Sequence, residues 1–252
     1  MNEAALHATP QWTLSIIVPC FNEEENVGLL IEAVFKTMSA DPRFIELILI
    51  DDGSLDRTAE IVQGMTAYES RLRLIAHARN RGLGAAIRTG LGAASGDYVL
   101  YTDADLPFDF GQIPRLLMQA SADRVVIGYR ANRGEGMRRW LLSKGYNLLC
   151  RAVFGLRVRD VNFACKLIPR RAVEAVRLGS EGSFIDAEML IECRRLGLKI
   201  TEFPLIYHPR TRGLSTLSRP SVIARILSEM AYYRSRCGKP EYEIAKETHH
   251  QR

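Results

Sequence analysis

The chain has 252 residues and a mass of 28.4 kDa, with 47% hydrophobic residues, 25% charged residues and a formal charge of +5 at pH 7. That composition excludes a disordered, collagenous or low-complexity protein, and no apolar run approaches the roughly 18 residues that a spanning helix needs. Residues up to Gln11 include Glu3 and no apolar core, so they do not read as a secretory signal. Five scattered cysteines (Cys20, Cys150, Cys165, Cys193 and Cys237) form no Cys-x-x-Cys pair. Reduced, buried thiols in a cytosolic protein are the reading that follows, rather than a disulfide framework or a zinc site.

Strands and helices alternate through the first half. Leu14–Val18 reads as a buried strand ended by Pro19, and Glu24–Met38 carries apolar residues at helical spacing. Phe44–Ile50 is a second strand. A helix over about Thr58–Met65 follows, with Asp56 or Ser54 available as its cap. Leu72–Ala76, Gly84–Ala94 and Tyr98–Tyr101 continue as strand, helix and strand. The order predicts parallel strands with crossover helices on both faces. The second half is less regular, with strands at Arg124–Gly128, Asn162–Ile168 and Lys199–Tyr207, the last interrupted by Pro204. Helices are expected at Arg138–Phe154 and Asp186–Leu196.

In such sheets ligands bind beyond the carboxyl ends of the strands. Four polar clusters fall there: Pro19–Glu23, Asp51–Ser54, Asn80–Gly82 and Asp103–Asp105. Asp103-x-Asp105 is the sharpest, because two carboxylates plus substrate phosphates are a usual way to hold Mg²⁺. Gly82-x-Gly84 is not a dinucleotide fingerprint, since Ile87 occupies the third glycine position, and no Walker A sequence is present. These glycines predict a tight loop before a helix whose N-terminus can face an anion. Between Arg130 and Arg171 eleven basic residues face only Glu135 and Asp160, a segment charge of +9. That asymmetry fits either a solvated helix face or a surface for phosphates or an anionic membrane.

Taken in order, Ser15–Glu24, Ile50–Ser54, Asn80–Ala86 and Asp103–Leu106 resemble family 2 glycosyltransferases of GT-A fold, a Rossmann-like α/β architecture with a mostly parallel sheet and helices on both faces. Within that family the chain is most similar to dolichyl- or polyprenyl-phosphate mannose synthases and polyprenyl-phosphate glucosyltransferases, over about Thr13–Ser215. The resemblance implies nucleotide contacts from Pro19, Phe21 and Glu23, and a base contact from Asp52, with Asp51 beside it. It also implies that Asp103 and Ala104 lie near the ribose and diphosphate, with Asp105 as principal ligand of Mg²⁺ or Mn²⁺ and Asp103 beside it. Pro107 stands where relatives often place a further metal ligand, so the metal must lean on Asp105, diphosphate and water. Arg130, Lys144 and Arg212 are the candidate phosphate grips. Asp186 is a candidate to orient the sugar or act as base, with simple helix N-terminal charge complementarity as the alternative.

The activity implied is inverting transfer of a hexose, mannose favoured, from GDP-mannose or UDP-glucose to polyprenyl phosphate. A soluble or polysaccharide acceptor is the alternative, and would make Asp186 or Glu188 essential as a base. A non-catalytic nucleotide-sugar or anionic-membrane module is a further one. Nucleic-acid binding ranks last, for want of aromatic interleaving or a reading motif. The expected domain plan is an extension (1–12), a glycosyltransferase domain (13–217), an amphipathic helix (218–238) and a polar tail (239–252). Val222, Ile223, Ile226, Leu227, Met230 and Tyr233 give that helix one apolar face, fit either for a membrane interface or for packing on the domain. The location expected is the cytoplasmic face of a membrane, reached peripherally, with a membrane partner subunit as a possible companion.

Overall fold

A computed structural model describes residues 12–132, 137–208 and 220–236, with side chains described except at 137–139 and 220. Strand β1 (Leu14–Cys20) is buried along its whole length. Its residues alternate between two cores. Leu14, Ile16, Val18 and Cys20 face helix α1 (Val27–Met38), and Ile17 faces the other side of the sheet. Strand β2 (Phe44–Asp51) repeats the pattern with Leu47 and Leu49 on the first face, Ile48 and Ile50 on the second. A strand covered on both faces is apolar at nearly every position, and the two buried polar exceptions ahead of the strand tips here, Ser15 and Glu46, hydrogen-bond to each other at 2.6 Å. Helix α2 (Thr58–Thr66), strand β3 (Leu72–Ala76), helix α3 (Leu83–Ala93) and strand β4 (Tyr98–Thr102) complete the first half close to expectation. Asp56, not Ser54, serves the start of α2: its carboxylate accepts from Thr58 N–H at 3.0 Å and Thr58 Oγ1 at 2.5 Å.

The second half holds β5 (Arg124–Arg130), α5 (Met137–Phe154), β6 (Cys165–Pro169), α7 (Ile185–Arg195) and β7 (Lys199–Leu205), ending in α8 (Pro220–Arg236). It also holds two short helices with no counterpart in the sequence reading, α4 (Ile113–Leu117) and α6 (Arg170–Ala175). Five or six residues are too few for a 3.6-residue period to stand out. The seven strands found among the described residues form one sheet in the order β3-β2-β1-β4-β6-β5-β7. All neighbours are parallel except β6, which runs antiparallel to both β4 and β5. The order reverses between β1 and β4, and there the loops after two parallel strands diverge and leave a crevice. β7 lies at the sheet edge, where Pro204 costs no ladder hydrogen bond. It stops at Leu205 rather than Tyr207, which instead makes a lone bridge to Phe108.

The second core gathers α3, α7 and α8. Ile226, Met230 and Tyr233 of α8 are buried in it, with Val222 packed against it. The helix therefore packs these four residues of its apolar stripe onto the domain, while Leu227 of the same stripe stays 47% exposed. The four described cysteines are buried free thiols; Cys237 and the tail lie outside the described residues.

Candidate functional site

The tips of β1, β2 and β4 meet. The Asp52 N–H donates to the Cys20 carbonyl at 2.8 Å, tying the first two. Burial pushes the Cys20 thiol well up, and the nearby carboxylates of Glu23, Asp51 and Asp103 push it further. One thiol thus feels carboxylates from three loops. Asn22, at φ 55°, a conformation asparagine tolerates, locks the first loop to the second. Its N–H donates to Ser54 Oγ at 2.9 Å and its Oδ1 accepts from Leu55 N–H at 2.8 Å. Pro19 and Ala104 are buried at the base of the crevice, Glu23 is half-buried, and Phe21 is exposed at its rim.

Asp51 and Asp52 both have protein partners. Asp51 accepts from the backbone N–H and hydroxyl of Ser54. Asp52 accepts from Arg81 N–H at 3.0 Å, Gly82 N–H at 2.7 Å and the His77 ring at 2.6 Å. The base contact expected of Asp52 thus falls on a carboxylate already holding the β3–α3 connection. At the α3 N-terminus the N–H of the cap residue Gly82 already meets the Asp52 carboxylate. The Gly84 N–H donates to the Glu181 carbonyl at 2.8 Å, and the 180–181 backbone covers that helix end. Gly82 and Gly84 are glycines because a Cβ at either would strike this segment; at Gly84 it would lie 2.8 Å from the Ser180 carbonyl carbon.

At the tip of β4, Asp103 accepts from Tyr101 Oη at 3.0 Å. Burial raises its pKa to about 7, with Asp105 and then Asp186 adding to the rise. Asp186 itself is buried and pairs with the fully buried Lys166 at 2.5 Å. Burial raises the Asp186 pKa and Lys166 opposes the rise. A carboxylate locked to a buried ammonium is not a free base, which weighs against the base role for Asp186. Leu106, at φ 49°, is strained backbone directly after Asp105, the kind of outlier that clusters at functional sites. Among the described residues no three His, Cys, Asp or Glu side chains form a group able to hold a metal. Asp103 and Asp105 nonetheless suit a hard divalent cation: they are oxygen donors crowded by like charge, and diphosphate oxygens and water can supply the remaining positions.

Arg130, at the end of β5, pairs with Asp160 at 2.8 Å. Its guanidinium lies 4.7 Å from the Tyr207 ring and 5.2 Å from the Phe163 ring. It borders a cavity of about 290 Å³ whose walls include Leu141, Leu142 and Leu149 of α5 and Ile223, Ile226 and Leu227 of α8. Lys144 is exposed on α5 and is not among the residues lining this cavity. Arg212 lies outside the described residues. The basic segment is not one surface: Lys166 is buried, and Arg170 donates to the carbonyls of Ala94 and Gly96.

The sequence profile described as "Glycosyl transferase family 2" matches residues 15–177, from β1 into the segment before α7. The chain belongs to that family. The fold of this family 2 glycosyltransferase is GT-A. Dodecaprenyl-phosphate galacturonate synthase of Rhizobium johnstonii is 32% identical over 88% of this chain and 67% of its own length. Undecaprenyl-phosphate 4-deoxy-4-formamido-L-arabinose transferase of Pectobacterium atrosepticum is 33% identical over 81% of this chain and 62% of its own. The chain thus spans about two thirds of these relatives. Neither name carries mannose, which corrects the preference drawn from the resemblance. Glucosyl-3-phosphoglycerate synthase from Mycobacterium tuberculosis in complex with UDP superposes with a TM-score of 0.67 at 25% identity, covering 92% of this chain and 85% of that one.

Sequence reasoning missed both His77 and the pairing of Lys166 with Asp186. A polar residue directly after a strand at the sheet's ligand edge was the available signal for His77. For Lys166 it was a lone cation within the otherwise apolar run Phe163–Ile168.

Proposed function

We propose that this glycosyltransferase moves a glycosyl unit from a nucleotide-diphosphate sugar to polyprenyl phosphate, with Mg²⁺ or Mn²⁺ as cofactor. The observation that carries the acceptor is the cavity between α5 and α8: hydrocarbon walls with one guanidinium at the edge match a lipid with a phosphate head. The names of the two polyprenyl-phosphate relatives support the same class, and the UDP-bound neighbour supports a nucleotide donor.

Asp105, with Asp103 beside it, would hold the metal. When bound, the ion neutralises charge developing on the departing diphosphate. Glu23, Phe21 and the Asp51–Asp52 tip border the space for the nucleoside, and Arg212 is the proposed second grip on the diphosphate. Arg130 is held by Asp160 and two rings, and this fixed guanidinium, its charge partly offset by Asp160, would meet the acceptor phosphate. A phosphate monoester with a second pKa of about 6 is mostly ionised near neutrality, so its attack needs no general base. The burial of Asp186 against Lys166 agrees with that, and weighs against a hydroxyl acceptor. Attack from the side opposite the leaving diphosphate inverts the anomeric centre.

No described helix is long and apolar enough to cross a membrane. α5 exposes Leu141, Leu142 and Leu148 together with Lys144 and Arg151, the pairing of apolar and basic side chains that an anionic bilayer surface attracts. Through that face the chain would reach a membrane-borne acceptor.

The test is a panel of labelled UDP- and GDP-sugars with polyprenyl phosphate and Mg²⁺ or Mn²⁺. The expected product is labelled lipid, lost with EDTA and with Asp105→Ala, and with a raised acceptor KM in Arg130→Ala. Label reaching only water-soluble products, or full divalent-dependent activity in Asp105→Ala, would refute the reading.

A further inference from the structure

A buried histidine joins the loops around the donor crevice. His77 directly follows β3, and its N–H donates to the Asp51 carbonyl at 2.8 Å. Its side chain is only 6% exposed. Nδ1 lies 2.6 Å from Asp52 Oδ1, and Nε2 lies 2.9 Å from Thr89 Oγ1 on α3. A carboxylate only accepts, so Nδ1 carries the proton, while the Thr89 hydroxyl at Nε2 can serve as either donor or acceptor. The ring thereby bridges the tip of β2 to the body of α3.

The same Asp52 carboxylate holds the backbone N–H groups of Arg81 and Gly82. These three donors all come from the β3–α3 connection, which also presses on the tip of β2 from outside. Gly53 stands at φ 71°, and a Cβ there would lie 2.5 Å from the Arg79 carbonyl carbon. Two loops in backbone contact are thus oriented by one carboxylate, and His77 is the only one of its three donors that is a side chain. Asp52 without His77 keeps two bonds to a single turn but loses the partner that ties it to α3.

We infer that His77 is a positioning residue for the nucleotide part of the donor: it fixes Asp52 and, through it, the Arg79–Gly82 turn at the rim of the crevice. The inference rests on the donor reading above. Joining Asp52 to Thr89 takes a side chain with a donor at one edge and a second polar atom at the other, which the imidazole ring supplies. Asparagine can supply the first of these bonds, with its amide nitrogen in place of Nδ1–H.

The test uses the full chain with His77→Ala, His77→Asn and Thr89→Val. Binding of UDP and of GDP is measured by calorimetry with Mn²⁺, alongside the thermal midpoint and hydrogen exchange at the Arg81 and Gly82 amides. His77→Ala is expected to weaken binding of the nucleotide that the wild type prefers by about tenfold or more, the worth of a charge-assisted hydrogen bond. Both amides should exchange faster. His77→Asn should recover most of the affinity, and Thr89→Val should show a smaller loss in the same direction. The KM for polyprenyl phosphate should not move. Equal nucleotide affinity in wild type and His77→Ala would overturn the inference and leave the donor reading standing. So would a loss of thermal stability with affinity and amide protection retained. If His77→Ala does not fold, wild-type affinity in Thr89→Val and an uncorrected loss in His77→Asn would overturn it. A wild type that binds neither UDP nor GDP would overturn the inference and the donor reading together.

Discussion

Replacing Lys166 with Met should be among the most destabilising single changes in this chain. The ammonium is wholly buried, 2.5 Å from Asp186 and 3.0 Å from the Phe163 carbonyl. Met is one atom shorter but keeps the apolar stem and its packing, so the loss is mainly electrostatic. It leaves Asp186 charged in the interior, beside an Asp103 that Asp105 already repels. Removing one partner of a buried pair costs about 3–5 kcal/mol, against a total stability of about 5–15 kcal/mol for an ordinary domain. Asp186→Val alone should be costly for the mirror-image reason, since Lys166 would be left without its counter-charge. The double variant Lys166→Met/Asp186→Val removes both charges and should be more stable than either single variant by about 2 kcal/mol or more. Urea melts of all four proteins give the coupling, provided the slope with denaturant stays constant. Additive effects, or a cost below about 1 kcal/mol for Lys166→Met, would show that solvent or another cation reaches Asp186 and that the pair does not carry this charge balance.

Two further outcomes follow from the same geometry. Asp103 has a folded-state pKa of about 7 against an ordinary 3.8, so between those values the folded protein binds more protons than the unfolded one. Stability of the metal-free protein should therefore fall as pH rises through that window, and Asp103→Asn should flatten the slope of thermal midpoint against pH in EDTA; an unchanged slope would remove Asp103 as its source. Gly84→Ala should cost about 3 kcal/mol, since its Cβ would press on a Ser180 carbonyl that Arg88 holds in place. Gly92→Ala, in the same helix with nothing within 4 Å, should be neutral or stabilising by up to about 1 kcal/mol, and thermal melts of the two variants decide the comparison.

Much of the site was legible because it depends on local pattern and one topological rule. The apolar runs of β1, β2 and β4 each end in acidic residues, and parallel strands must put those ends on one edge. Asp51, Asp52, Asp103 and Asp105 could therefore be gathered without knowing any long-range contact, and the convergence of Glu23, Asp51 and Asp103 around Cys20 agrees with it. The sequence motif could not say which carboxylates were already engaged. Asp52 binds a turn about thirty residues on, and Asp186 binds a lysine twenty residues back.

The alternation of apolar strands and helices, the acidic strand ends and the glycines at the start of α3 were determined by the sequence alone, because period and backbone freedom are properties of neighbouring residues. The antiparallel course of β6, the cover that Ser180 and Glu181 place over the α3 N-terminus, and the inward turn of α8 were decided only in the tertiary structure. Each depends on which distant segment arrives at a surface. An amphipathic helix or a charged side chain carries the same local signal whether bilayer, solvent or protein lies opposite it.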